Sequence, residues 1–157
     1  MLYLKDQDGK YHPAPKKQVL LEANKLMGYK LRRGALIESA DVAKAVIGCK
    51  LRNHHKEVFG CLFVDSRHRV LAFKILFTGT INHTTVHPRE IVKEALQLDA
   101  TAIILAHNHP SGGSNPSTQD IALTRTLTDI LKIIEVKILD HLIVGDEVTA
   151  FSDLGLI

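Results

Sequence analysis

The sequence has few of the residues that mark several classes of protein. Its 157 residues include only two cysteines, Cys49 and Cys61, which is too few for a disulfide framework. No apolar run approaches the roughly 18 residues that a membrane-spanning helix needs. The first residues, MLYLKDQDGKYHPAPKK, lack the apolar stretch of a signal peptide. These absences predict a cytoplasmic protein that makes no membrane contact and keeps both thiols reduced.

The remaining composition is that of an ordinary folded domain. The chain is 45% hydrophobic and 24% charged, and chains of this length usually form one domain. Histidine is abundant, with nine residues. Because histidine is a common metal ligand, the spacing of these residues decides whether they indicate a site.

Positive charge is concentrated near the start of the chain. Residues 1–56 hold twelve Lys and Arg against five Asp and Glu, whereas residues 57–157 are net acidic. Such a basic segment could contact DNA, an acidic partner or another subunit, but a solvated helix surface has the same composition. The charge is not accompanied by a finger spacing, an RNP-like aromatic pattern or a clear helix-turn-helix.

Local signals divide the chain into a basic N-terminal extension over residues 1–37 and an α/β domain over residues 38–157. Residues 1–16 have the turn composition of an irregular arm or a short hairpin. Residues 18–27 have the apolar spacing of a helix, which we expect to stop at Gly28.

The domain itself alternates between helical and strand-like patterns. Ser39 is a suitable N-cap for its first helix, and Pro88 fits the first turn of another. The run TAIILA is continuous and apolar, as expected for a strand that is covered on both faces. The patterns predict helices over residues 40–51, 88–98 and 118–133, and strands over 58–64, 70–77, 101–106, 136–144 and 148–151.

A pair of histidines follows the buried strand over residues 101–106. Because alternate residues of a strand project to the same side, His107 and His109 can direct both imidazoles at one point. Pro110 then turns the chain away from the sheet, and a loop rich in Gly, Ser and Pro follows. The pattern favours a metal site over two unrelated loop histidines.

The next helix begins with Ser117-x-x-Asp120, which supplies a third candidate ligand. Two histidines and one carboxylate form a familiar catalytic zinc set, in which the fourth position stays open for water. The same pair is also typical of a capping box at a helix start. The sequence therefore predicts a metal site at His107, His109 and Asp120, with capping as the alternative for the serine and aspartate.

A zinc hydrolase also needs a group that handles protons. Three upstream carboxylates are candidates, Glu57 at a strand edge and Glu90 and Glu94 in a predicted helix. Spacing alone favours Glu57 only modestly. Ser117 could donate a hydrogen bond to the oxyanion of the transition state.

At these residues the sequence resembles the JAB/MPN metalloenzyme family. Its JAMM signature is a glutamate, then His-x-His-Pro, six residues and Ser-x-x-Asp. The matching residues are Glu57, His107, His109, Pro110, Ser117 and Asp120. The resemblance implies one zinc per chain held by the two histidines and the aspartate, with Glu57 as the acid/base and Ser117 supporting the oxyanion.

More narrowly, the sequence resembles the RadC family. The similar blocks are residues 86–90 (VHPRE), 105–112 (LAHNHPSG) and 139–141 (LDH), and the resemblance covers roughly residues 38–157. It implies an α/β/α JAB/MPN domain, cytidine-deaminase-like, with a mixed central sheet flanked by helices. His87, Asp140 and His141 lie in these blocks, where they could orient the ligands, although Asp140 could instead bind backbone.

The sequence departs from two patterns of these families. The N-terminal segment is too short for the helix-hairpin-helix region of full-length RadC-like proteins, so the chain resembles a short form. The residue between the histidines is Asn108, where ubiquitin-removing members usually have Ser or Thr. That difference, together with the lack of a long insertion, argues against a eukaryotic-style deubiquitinase.

The sequence leads to one principal function and two alternatives. We expect a zinc-dependent hydrolase that cleaves a peptide or isopeptide bond in an unknown peptide or protein substrate. The alternatives are a nucleic-acid-associated protein, which binds DNA through its basic extension, and a zinc-stabilised interaction domain without catalysis. A deaminase is disfavoured because the Pro-Cys-x-x-Cys ligands are absent. The sequence leaves the oligomeric state open.

Overall fold

The computed structural model describes residues 2–79 and 85–157, which form a two-stranded hairpin, a five-stranded sheet and four α-helices. In chain order the elements are β1 (Tyr3–Lys5), β2 (Tyr11–Pro13), α1 (Lys16–Lys30), α2 (Ala40–Leu51), β3 (Val58–Val64), β4 (Val70–Thr78), α3 (Pro88–Gln97), β5 (Ala102–Asn108), α4 (Thr118–Ile133), β6 (Lys137–Val144), β7 (Val148–Ala150) and a 3₁₀ turn (Ser152–Leu154). Within the described ranges, no helix is both long enough and apolar enough to cross a membrane.

The five-stranded sheet is mixed and has the order β4-β3-β5-β6-β7. Strands β5 and β6 are parallel, and α4 connects them, whereas the other neighbouring strands are antiparallel. The prediction of an α/β fold with a mixed central sheet flanked by helices is confirmed.

Helices cover both faces of this sheet, which gives two hydrophobic cores. Helix α2 contributes Ala43, Ile47 and Leu51 to the core on one face. Helices α3 and α4 contribute Ile91, Ala95, Leu127 and Leu131 to the core on the other face. All seven residues of β5 are buried between these layers, as its apolar run predicted.

Strand β5 is longer than the sequence indicated. It continues beyond Ala106 to Asn108 because its backbone pairs with β3 as far as His107 and with β6 as far as Asn108. The first histidine of the motif therefore lies inside the central strand instead of in the loop after it. The sheet fixes the direction of this side chain.

The N-terminal extension packs loosely on the rest of the chain. Helix α1 buries none of its residues, and the Sγ of Cys49 donates a hydrogen bond to Asn24 in this helix. The helix does not stop at Gly28, as we expected, but continues to Lys30. A glycine inside a helix costs only about 1 kcal/mol, and the left-handed turn comes later, at Gly34 with φ of +87°.

Candidate metal centre

The alternation of side chains along β5 places His107 and Asn108 on opposite faces of the sheet, and His109 follows on the side of His107. His107 lies on the face covered by α3 and α4, where the ring of Phe59 stacks on its imidazole at a centroid distance of 6.1 Å. His109 follows two residues later, and its ring centroid lies 4.8 Å from that of His107. Asn108 projects to the opposite face, towards the segment after α2.

The beginning of α4 places the third candidate ligand. The hydroxyl of Ser117 accepts a hydrogen bond from the backbone N–H of Asp120. In return, Oδ2 of Asp120 accepts hydrogen bonds from the backbone N–H of Ser117 at 2.8 Å and from its hydroxyl at 2.6 Å. The capping box that the sequence indicated is therefore present, and it also holds the aspartate against the histidines.

The three predicted ligands converge on one point. The Nε2 atoms of His107 and His109 are 3.0 Å apart. The Asp120 carboxylate brings Oδ1 to 3.3 Å from Nε2 of His107 and Oδ2 to 3.9 Å from Nε2 of His109. The three side chains each offer one ligand atom, and these atoms lie within 4.8 Å of one another. The group could hold a metal ion.

A buried hydrogen-bond chain sets the proton positions on His107. The hydroxyl of Thr124 donates to the backbone carbonyl of Asp120 at 2.7 Å, so its oxygen is the acceptor for Nδ1–H of His141 at 2.6 Å. In this neutral tautomer, Nε2 of His141 accepts the Nδ1–H of His107 at 2.9 Å. Nε2 of His107 is the nitrogen that faces Asp120, and it lies 3.3 Å from Oδ1.

The second histidine is also held through its Nδ1. Its Nδ1 lies 2.8 Å from the carbonyl oxygen of Gly113, which can only accept, so Nδ1 carries a proton and Nε2 is the nitrogen that faces His107. Two imidazole Nε2 atoms and a carboxylate oxygen therefore face each other at short distances. Such a group attracts a cation, either a proton held between an imidazole and the carboxylate or a metal ion. Two imidazole nitrogens and one carboxylate oxygen also suit zinc and leave a coordination position open.

The surroundings of the site favour an ionised Asp120 and a neutral His141. Burial raises the pKa of Asp120, but hydrogen bonding and the charge of His107, together with the Ser117 hydrogen bonds, bring this pKa well below its ordinary value. Burial lowers the pKa of His141 well below its ordinary value, and His107 adds to the effect. His141 is therefore the neutral partner that the chain requires.

Close packing of two loops fixes the glycine-rich segment after His109. A Cβ on Gly145 would lie 2.2 Å from the carbonyl oxygen of Gly112, so only glycine fits there. Gly112 adopts φ of +92°, and its carbonyl accepts the N–H of Asp146 at 2.8 Å. This contact steadies the loop whose Gly113 carbonyl orients His109.

The three candidate glutamates lie in different surroundings. Glu90 of α3 pairs with Arg89 at 3.1 Å, and the half-buried Glu94 of the same helix pairs with Lys74 at 2.5 Å. Glu57 directly precedes β3, in which Phe59 is the partner of His107. The pairing ends there, and continuing the same register by two residues predicts Glu57 opposite His109. Of the three, Glu57 is the one that adjoins the strand paired with His107.

Two other residues, His141 and Asn108, contact the site, and the sequence had indicated such a role only for His141. His141 was a candidate for orienting a ligand, and it does contact His107. Asp140 instead accepts hydrogen bonds from the backbone of His141 at 2.8 Å and from Ser152. His87 contacts Phe77 edge-on at 6.0 Å. The contacts of Asn108 with the segment before β3 were not anticipated.

Comparisons with known proteins agree with the geometry. The family model described as the RadC-like JAB domain matches residues 37–156. A UPF0758 protein of Thioalkalivibrio sulfidiphilus is 49% identical over 127 residues, which are 81% of this chain and 57% of the relative. One of Ectopseudomonas mendocina is 47% identical over 140 residues, 88% of this chain and 62% of the relative. One of Vibrio cholerae is 40% identical over 138 residues, 88% of each chain. The chain thus spans about three fifths of the length of the first two relatives.

Proposed function

Because the chain belongs to the family of RadC-like JAB domains, we propose that it is a zinc-dependent hydrolase that cleaves a peptide or isopeptide bond. The observation that carries the proposal is the convergence of two imidazole Nε2 atoms, on His107 and His109, with the carboxylate of Asp120. Such a cluster suits a metal ion that keeps one position open for chemistry.

The residues around the cluster have separate tasks in this reaction. Zinc, when bound, supplies a water of lowered pKa and polarises the substrate carbonyl. Glu57 takes up a proton as water attacks the carbonyl carbon, and it gives a proton to the leaving nitrogen. The products are a carboxylic acid and an amine.

Ser117 is the candidate donor to the oxyanion. Its hydroxyl has one proton, which Oδ2 of Asp120 accepts in the structure. To support the oxyanion, the hydroxyl must turn away from Asp120. The backbone N–H of Ser117 would still hold this carboxylate oxygen at 2.8 Å, so the ligand would stay in place.

Metal removal tests the proposed hydrolysis. We expect the zinc-loaded protein to cleave members of a quenched-fluorescent peptide library or isopeptide-linked peptides. A chelator should abolish cleavage, and added zinc should restore it. The control is the same chelation followed by addition of Mg²⁺, which prefers oxygen ligands and should not restore activity. A protein that holds zinc, becomes more stable with it and cleaves no substrate would instead be an interaction domain without catalysis.

A second candidate function, binding of nucleic acid, is favoured by the side chains of the extension. The three tyrosines of the chain, Tyr3, Tyr11 and Tyr29, all lie there, and each exposes more than half of its surface. In the β1–β2 hairpin, Lys5 pairs with Tyr11, and its Nζ lies 5.7 Å from the ring centroid. Exposed aromatic rings among lysines are suited to stacking with the bases of a single strand.

We expect labelled single-stranded DNA to bind the protein with a Kd that rises steeply with salt. Replacing Tyr3 and Tyr11 by alanine removes two stacking surfaces and should raise the Kd by about tenfold or more. The phenylalanine pair at the same positions keeps both rings and should bind nearly as well as the wild type. An affinity that ignores salt, or that survives the alanine pair, would contradict this function.

A further inference from the structure

Asn108 lies between two candidate ligands but turns away from them. Its side chain is buried on the opposite face of β5, where only 2% of the residue is exposed. Its Oδ1 accepts the backbone N–H of Val58 at 2.8 Å. Its Nδ2 donates to the carbonyl oxygens of His54 at 3.0 Å and Lys56 at 3.1 Å. Both N–H groups of Nδ2 are therefore used in hydrogen bonds to a segment some fifty residues earlier in the chain.

These contacts enclose the residue that we propose as the acid/base. The Lys56 carbonyl belongs to the peptide unit before Glu57, and the Val58 N–H belongs to the peptide unit after it. One carboxamide therefore holds both peptide planes that flank Glu57, which restricts its φ and ψ. The carbonyl of Glu57 itself accepts the N–H of Gly79 at 2.9 Å, so the neighbouring strand completes the attachment.

The sheet register explains why this restriction matters for the site. Phe59 pairs with His107, so the alternation of side chains predicts Glu57, two residues earlier, on the same face as the two histidines and Val58 on the face of Asn108. Asn108 holds the backbone from one face of the sheet, and the alternation predicts that the Glu57 carboxylate points to the other.

We propose that Asn108 is a positioning residue that fixes the backbone of Glu57 so that its carboxylate faces the metal centre. This inference rests on the proposed hydrolysis, in which Glu57 transfers protons. The task needs one acceptor and two donors on a single planar group, which a carboxamide supplies. Aspartate at this position would lose both donors and place negative charge against two carbonyl oxygens.

The test compares Asn108→Asp and the milder Asn108→Ser with Asn53→Ala, an exposed asparagine in the same segment that serves as the matched control. In the variants of Asn108 we expect kcat to fall on the order of 10²-fold while KM and the Kd for zinc change little, because proton transfer depends on sub-ångström placement. Hydrogen exchange at the N–H of Val58 should accelerate. The Asn53 variant should match the wild type in all of these measurements.

A double-mutant cycle separates positioning from a merely structural effect. If Asn108 acts through Glu57, Asn108→Ser should cost little more activity once Glu57→Gln is already present. Equal losses in the two backgrounds, or a loss confined to zinc affinity, would overturn the proposal. If the wild type hydrolyses nothing, only the proposed function fails. Hydrogen exchange at the N–H of Val58 still reports whether Asn108 holds this backbone. Unchanged exchange in a folded Asn108→Asp variant would overturn the positioning role.

Discussion

Replacing Asp120 by alanine is expected to remove the metal from the protein. The wild type should retain about one zinc per chain after dialysis and the variant close to none, because two imidazoles lose the carboxylate oxygen that lies 3.3 Å from Nε2 of His107. Metal content is measured by elemental mass spectrometry. At a zinc concentration of 100 times the Kd, the free energy of unfolding of the wild type should rise by about 2.7 kcal/mol. The variant should show no such increase.

Two control variants separate metal binding from helix capping. Asp120→Ala also removes the capping box of α4, which by itself costs about 1 kcal/mol of stability. Ser117→Ala removes the capping hydroxyl but keeps the carboxylate, so it should lose stability and retain zinc. Asp129→Ala removes an exposed aspartate from the same helix and should keep both the wild-type stability and the zinc. Full zinc content in Asp120→Ala would mean that the site lies elsewhere.

Replacing Glu57 by glutamine is expected to abolish turnover and leave zinc in place. Glutamine keeps the shape of the side chain but cannot accept a proton, so kcat should fall by about 10²–10⁴-fold. Zinc content should stay at the wild-type value because Glu57 is not among the three ligands. The measurement is single-substrate kinetics on whichever peptide the library identifies, with metal content determined on the same samples.

The other two glutamates provide matched controls for this change. Glu90→Gln and Glu94→Gln each break an ion pair on α3, with Arg89 and Lys74 respectively. Both should stay within about threefold of the wild-type kcat, since surface substitutions of this kind usually have small effects. An active Glu57 variant beside an inactive one at either control position would transfer the acid/base assignment to α3.

The sequence made the metal cluster predictable because its geometry is local. His-x-His on a strand needs only the two-residue period, and Ser-x-x-Asp needs only the first turn of a helix. The break between them, with Pro110 and two glycines, lets the two short motifs meet. Similarly, helix α2 begins at its predicted cap, Ser39, whose hydroxyl accepts the N–H of Val42.

Features that depend on distant parts of the chain were not predictable in this way. The contact of His141 with His107 requires β6 to lie parallel to β5, and the contacts of Asn108 require the segment after α2 to reach the end of β5. Neither contact produces a repeating pattern of residues from which it could be predicted. The extension of α1 through Gly28 was missed for a different reason, namely that one glycine is too weak a signal to end a helix.

The alternation of His107, Asn108 and His109 also limits how this chain can change during evolution. The first and third of these positions face the metal centre, and the middle one faces the backbone on either side of Glu57. Inserting or deleting a single residue would therefore exchange the faces of every residue beyond it. Such a change would turn a histidine towards the face covered by α2 and turn the amide of Asn108 towards the metal centre. Variation at this end of β5 should therefore proceed by substitution, whereas insertions should accumulate in loops that carry none of these groups.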